Sequence, residues 1–122
     1  MAKRILVADD ERTLRRLYRH VLTEEGYEVL LAANSAEALA MVHDESPDLV
    51  ILDLKMPGMD GMEALYKILD IRRDLPVVIN TGYPEFEDNY LSWAADAYIR
   101  MSSDLTELKE TVRRLLSEKA TA

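Results

Sequence analysis

The sequence predicts an open, parallel α/β sheet covered by helices on both faces. Two observations carry that expectation. Several short runs are apolar throughout, as strands buried on both faces must be, and amphipathic helical patterns alternate with them. A third observation bounds it: 122 residues make one domain, large enough to bury a core without staples.

The elements follow in order. Arg4–Ala8 is a short apolar strand. Arg12–Glu25 places Leu14, Leu17, Tyr18, Val21 and Leu22 at helical spacing, and Gly26 behind it suits a C-terminal cap. Glu28–Ala32 is the second strand. Asn34, with Glu37 three residues on, has capping-box spacing for a helix over Ala36–Glu45. Leu49–Asp53 is the third strand. Pro57 and Gly58 mark a sharp turn after it. Gly61–Ile71 is a helix with Met62, Leu65, Ile68 and Leu69 inward. Pro76 opens the fourth strand, Val77–Thr81. Pro84 and Asn89 weaken a helix expected within Glu85–Trp93. Tyr98–Met101 is the fifth strand. Asp104 caps the last helix, Leu105–Glu118, with Leu105, Leu108, Val112, Leu115 and Leu116 as its stripe. The domain spans residues 1–119, with 120–122 as a frayed tail. Crossovers should be right-handed.

A net charge of -8, with no basic stripe, argues against a nucleic-acid partner. The absence of cysteine excludes disulfides and thiolate metal sites and fits a reducing compartment. No apolar stretch approaches membrane-spanning length, and a strand begins so early that no signal peptide is expected.

The chemistry gathers at strand ends. "RILVADDE" and "DLVILDLKMPGMDG" are apolar runs that stop on carboxylates: Asp9 and Asp10 in the first, Asp53 in the second. Thr81 ends the fourth strand. A lone aspartate after a strand reads as a cap or turn residue. Three aspartates and a threonine at the carboxyl ends of one sheet mark its ligand crevice. If the first and third strands are neighbours, the carboxylates converge and repel, each raising the others' pKa. A hard divalent cation with oxygen ligands, such as magnesium, resolves that conflict.

"ILVADDE", "DLVILDLKMPGMDG", "VVINTGY" and "ADAYI" together resemble the receiver domain of bacterial two-component response regulators, over the chain from Lys3 to the last helix. The resemblance implies a flavodoxin-like, five-stranded sheet of order 2-1-3-4-5. It implies that Asp53 accepts a phosphoryl group from a phosphohistidine on a sensor histidine kinase or phosphotransfer protein. Asp10 matches a direct Mg2+ ligand and Asp9 the carboxylate that holds a metal-bound water. Asp53 and the Lys55 backbone carbonyl complete the metal site. Thr81 matches the hydroxyl that bonds the phosphoryl oxygen, Gly82 keeps the site open, and Tyr98 matches the aromatic switch. The chemistry agrees on its own terms: a carboxylate can be the nucleophile, and phosphoryl transfer needs alignment and charge neutralisation. Such a domain is no enzyme beyond its own phosphorylation and dephosphorylation.

The chain departs from the family in two places. Where the family has lysine and then proline after the fifth strand, this sequence has Met101 and Ser102. Without the proline their peptide should be trans, since cis costs about 2.5–4 kcal/mol. Arg100 falls on the wrong face of a strand to replace the lysine. Lys55 is either a solvated loop residue or a nearby cation. The stretch from Thr81 to Ala95 is about two residues short of the family pattern. Its Tyr83, Phe86, Tyr90 and Trp93 read equally as core packing or as a partner surface. His20 and His43 have no metal-spaced partners and read as surface residues.

The expected function is therefore a cytoplasmic phosphoacceptor receiver. It would act on a downstream protein through the helix within 85–93, the fifth strand and the last helix, without membrane or nucleic-acid contact, standing alone or as part of a larger regulator. The alternative is a constitutive binding module in which Met101 has cost the chain its phospho-switch. A small aspartate-nucleophile phosphatase fails on size and on Lys55, which stands where a second acid belongs.

Overall fold

The five apolar runs form one parallel sheet. In the computed structural model the described residues are 2–53, 55–56, 59–81, 97–100 and 105–121. The sheet strands are β1 (Arg4–Ala8), β2 (Glu28–Ala32), β3 (Leu49–Leu52), β4 (Val77–Thr81) and β5 (Ala97–Arg100), in the order β2-β1-β3-β4-β5. All neighbours run parallel. The helices are α1 (Arg12–Glu24), α2 (Ser35–Glu45), α3 (Gly61–Ile71) and α4 (Thr106–Thr121). This is the flavodoxin-like fold and strand order expected from the sequence.

Period-two alternation divides the core into two layers. Leu6, Ala8, Val50, Leu52, Val77 and Ile79 pack with Ala38 and Val42 of α2 and Leu65 and Ile68 of α3. Ile5, Val7, Leu49, Ile51, Val78 and Ile99 face the other way, onto Tyr18 and Leu22 of α1 and Leu108, Val112, Leu115 and Leu116 of α4. Every one of these strand residues is buried, which is why their runs hold no polar alternation.

Local chemistry sets the ends. Behind α1, the Tyr27 amide donates to the Leu22 carbonyl and the Gly26 amide to the Thr23 carbonyl. These are the two bonds of a Schellman cap, and Gly26 at φ +95° supplies the left-handed residue it needs. At the start of α2, Asn34 Oδ1 accepts from the Glu37 amide at 2.9 Å. Glu37 Oε1 reaches back to the Ala33 amide at 2.7 Å, one residue earlier than in a standard capping box. That cap makes Ser35 the first helical residue rather than Ala36.

Other boundaries move too. The third strand closes at Leu52, so Asp53 lies just beyond the assigned strand, although its amide still donates to the Ala8 carbonyl at 3.0 Å. β5 begins at Ala97 and ends at Arg100, one residue earlier than the apolar pattern suggests. α4 starts after Leu105, whose carbonyl accepts from the Lys109 amide. The helix, expected to end at Glu118, continues through Thr121, because Lys119 and Ala120 favour helix and no breaker intervenes. Leu17, counted in the apolar stripe of α1, is 42% exposed. One element is new: Lys55–Met56 pairs antiparallel with Met59–Asp60. The expected turn at Pro57 and Gly58, the helix within 85–93 with its aromatics, Gly82, Met101, Ser102 and the Asp104 cap lie outside the described residues.

Candidate functional site

The sheet topology builds the site. β1 lies between β2 and β3, with Ala8 paired to both Ala32 and Leu52. The residues that follow, Asp9 and Asp53, therefore emerge side by side at the carboxyl edge. Asp9, Asp10 and Asp53 each bring a carboxylate oxygen within 4.8 Å of the others. Asp9 and Asp53 are buried, while Asp10 is exposed.

Two bonds hold the β1–α1 connection. Asp9 Oδ1 accepts from the Glu11 amide at 2.9 Å, the two-residue bond of an aspartate turn. The Arg15 guanidinium of α1 donates to the Asp9 carbonyl at 2.9 Å. Burial raises the Asp9 pKa to about 6; the Glu11 amide works against this, and the negative charges of Asp53, Asp10 and Glu11 add to it. A buried carboxylate held back from ionising, with two more beside it, fits a cation. Among the described residues the cluster is made of three carboxylates, and such oxygen ligands fit a hard divalent ion such as magnesium.

The backbones of Thr81, Lys55 and Tyr98 are placed: Thr81 ends β4, Tyr98 lies within β5 paired with Ile79, and Lys55 opens the small antiparallel ladder just after Asp53. His20 and His43 are exposed, beside Glu24 and Asp44 respectively.

Residues 5–113 match the response regulator receiver domain family. The chain belongs to that family. Over 122 residues this receiver is 37% identical to sporulation initiation phosphotransferase F of Bacillus subtilis, covering 98% of each chain. It is 36% identical to the response regulator MprA of Mycobacterium tuberculosis over 95% of its own length, but spans only 51% of that protein. Among solved structures, the receiver superposes on the response regulator TrrA of Thermotoga maritima, in complex with Mg(2+)-BeF, with TM-score 0.90 and 43% identity, covering 93% of this chain and 98% of that one. TrrA has also been solved in complex with the histidine kinase ThkA; that copy superposes with TM-score 0.88 and 44% identity over the same shares.

The receiver holds one polar pair that sequence reasoning passed over. Asn80 on β4 donates from Nδ2 to the Tyr18 hydroxyl on α1 at 2.8 Å, and both residues are buried. Tyr18 reads from sequence as one more apolar position of α1. The available signal was Asn80 itself, an amide inside "VVINT", where every neighbour before it is aliphatic.

Proposed function

We propose that this receiver is a phosphoacceptor of two-component signalling, with Asp53 as the nucleophile. The convergence of Asp9, Asp10 and Asp53 carries the reading. Asp53 is 7% exposed, so its carboxylate is sheltered from water yet lies at the open edge of the sheet. One Asp53 oxygen attacks phosphorus as the bond to the imidazole nitrogen of a phosphohistidine breaks, leaving an acyl phosphate and a neutral histidine after proton uptake. Asp10, Asp9, Asp53 and the Lys55 carbonyl would hold Mg2+, which when bound supplies charge neutralisation at the phosphoryl oxygens. Thr81 offers a hydroxyl from the end of β4, and Tyr98 on the adjacent β5 is the residue through which the change passes outward. Asp9 and Asp10 serve as ligands and do not themselves accept the group.

The kinase complex of TrrA supports a sensor histidine kinase, or a phosphotransfer protein, as the donor. A downstream protein would read the face made with β5 and α4. No helix among the described residues is long and apolar enough to cross a membrane. The rival reading, a constitutive binding module, rests on Met101, outside the described residues, and the assembled acidic trio speaks for phosphorylation.

The test is intact mass after incubation with a small phosphodonor and magnesium. The wild type gains one phosphoryl group, and Asp53→Asn gains none. An unmodified wild type, or equal modification of the Asp53 variant, defeats the reading.

A further inference from the structure

The ladder register gives Asn80 a place beside the acidic site. Ala8 pairs with Leu52, and Leu52 with Ile79. One step further along each ladder, Asp9, Asp53 and Asn80 fall in a single row. The residues two positions before them, Val7, Ile51 and Val78, all lie in the layer under α1 and α4. Side chains two apart share a face, so Asn80 is the lateral neighbour of Asp53 on the α1 side of the sheet.

We propose that Asn80, held by Tyr18, is a positioning residue of the phosphoacceptor pocket, fixing the carboxyl end of β4 against α1 and thereby setting Thr81 relative to Asp53. The proposal rests on the phosphoacceptor reading above. A buried amide is unfavourable unless hydrogen-bonded, and the three residues before Asn80 on this strand, Val77, Val78 and Ile79, are all aliphatic and buried. The bond at 2.8 Å to Tyr18 meets that cost with a contact that is specific in distance and direction. Apolar packing alone would not fix the spacing so narrowly. Tyr18 is well placed for the task. Its helix begins just after Asp10, and Arg15 of the same helix grips the Asp9 carbonyl. So α1 is braced to the metal-holding loop at its start and to β4 at its middle. The phenol also feels the site: burial raises its pKa, and the charges of Asp9 and Asp53 raise it further despite the Asn80 bond.

The experiment compares wild type, Tyr18→Phe, Asn80→Val and the double variant. Removing one partner strands the other in the core, whereas replacing both with apolar groups of like shape can be nearly neutral. The double variant should therefore regain the urea stability that each single variant loses. Magnesium affinity is read by titration with magnesium chloride alone. Phosphorylation by acetyl phosphate at saturating magnesium is followed by intact mass. In the double variant the affinity should stay within about twofold while the rate falls about tenfold, a coupling of ordinary size. If the double variant does not fold, Tyr18→Phe, which removes a single oxygen, carries the same comparison. A wild-type rate in the variant makes the pair mere packing and overturns the proposal. An affinity loss as large as the rate loss also overturns it, because the pair would then be supporting the acidic ligands. A wild type that binds magnesium but takes up no phosphoryl group sinks the functional reading itself and this inference with it, a result distinct from either of those.

Discussion

Asp9 and Asp53 are lateral neighbours at the carboxyl edge of adjacent parallel strands, both buried, with Ala8 and Leu52 as the last paired residues before them. Folding thus forces together two carboxylates that the unfolded chain keeps apart. Burial, with the charge of Asp53 adding to it, raises the Asp9 pKa to about 6 from 3.8, so the folded state binds that proton more tightly than the unfolded state. The stabilisation is complete below 3.8 and is lost as pH rises through about 6. Without metal, Asp9→Asn should remove that loss. Near pH 7 it should stabilise the protein by up to about 3 kcal/mol relative to wild type, and by little near pH 4. Urea denaturation of both proteins across this window measures the difference. Equal slopes with pH would show that Asp9 is not strained.

Magnesium should reverse that dependence. A cation must displace the Asp9 proton, so affinity should weaken as pH falls below about 6. Asp10, exposed and within reach of both buried carboxylates, should supply most of the remaining attraction. Calorimetric titration should find a saturable site in wild type and little affinity in Asp10→Ala. Full affinity in that variant would remove Asp10 from the ligand set.

The α2 cap gives a prediction independent of the site. Asn34 Oδ1 meets the otherwise unpaired Glu37 amide, and losing such a cap costs about 0.5–2 kcal/mol. Asn34→Ala should lower the urea midpoint accordingly, and Asn34→Asp should hold it close to wild type. A midpoint unmoved in Asn34→Ala would mean that water serves that amide equally well.

Gly26 is set by its backbone rather than by its surroundings. A Cβ built there meets nothing within 4 Å, yet φ is +95°. The cost of Gly26→Ala is therefore conformational, about 1–2 kcal/mol. Denaturant titration should show that loss, and a smaller one for Gly26→Asn, since asparagine tolerates the left-handed region.

These cases show what the chain made legible. Strands buried on both faces announce themselves as unbroken apolar runs, and β2, β4 and α3 fall where the pattern places them. The acidic trio was legible because carboxylates at strand ends need only the strand order to bring them together. Boundaries set by single hydrogen bonds were less so: β5 and α4 each shift by a residue at the start. The ladder of Lys55–Met56 with Met59–Asp60 is too short to carry any period. Tyr18 and Asn80 escaped because a hydrogen bond between residues 62 positions apart leaves no local pattern, and because tyrosine at a core position reads as apolar.

The last prediction concerns Met101, where the family resemblance leads one to expect lysine. A hydrogen bond to a charged group contributes about 1.5–3 kcal/mol net, and coupling between two sites in a switch is typically about 1–3 kcal/mol. The two are of one size, so losing the lysine can erase most of the link between phosphorylation and the outward face. Phosphorylation itself should persist, because the proposed nucleophile Asp53 and the carboxylates of Asp9 and Asp10 lie together at the sheet edge. Met101→Lys should therefore leave the phosphorylated mass unchanged but enlarge the response to a phosphoryl mimic, read as NMR shifts along β5 and α4. If wild type already shows the full shift and the lysine adds nothing, another group carries the coupling. Lys55, which follows Asp53 closely in sequence, and the Tyr18–Asn80 tie are then the two candidates, and Lys55→Ala against Tyr18→Phe in the same experiment separates them.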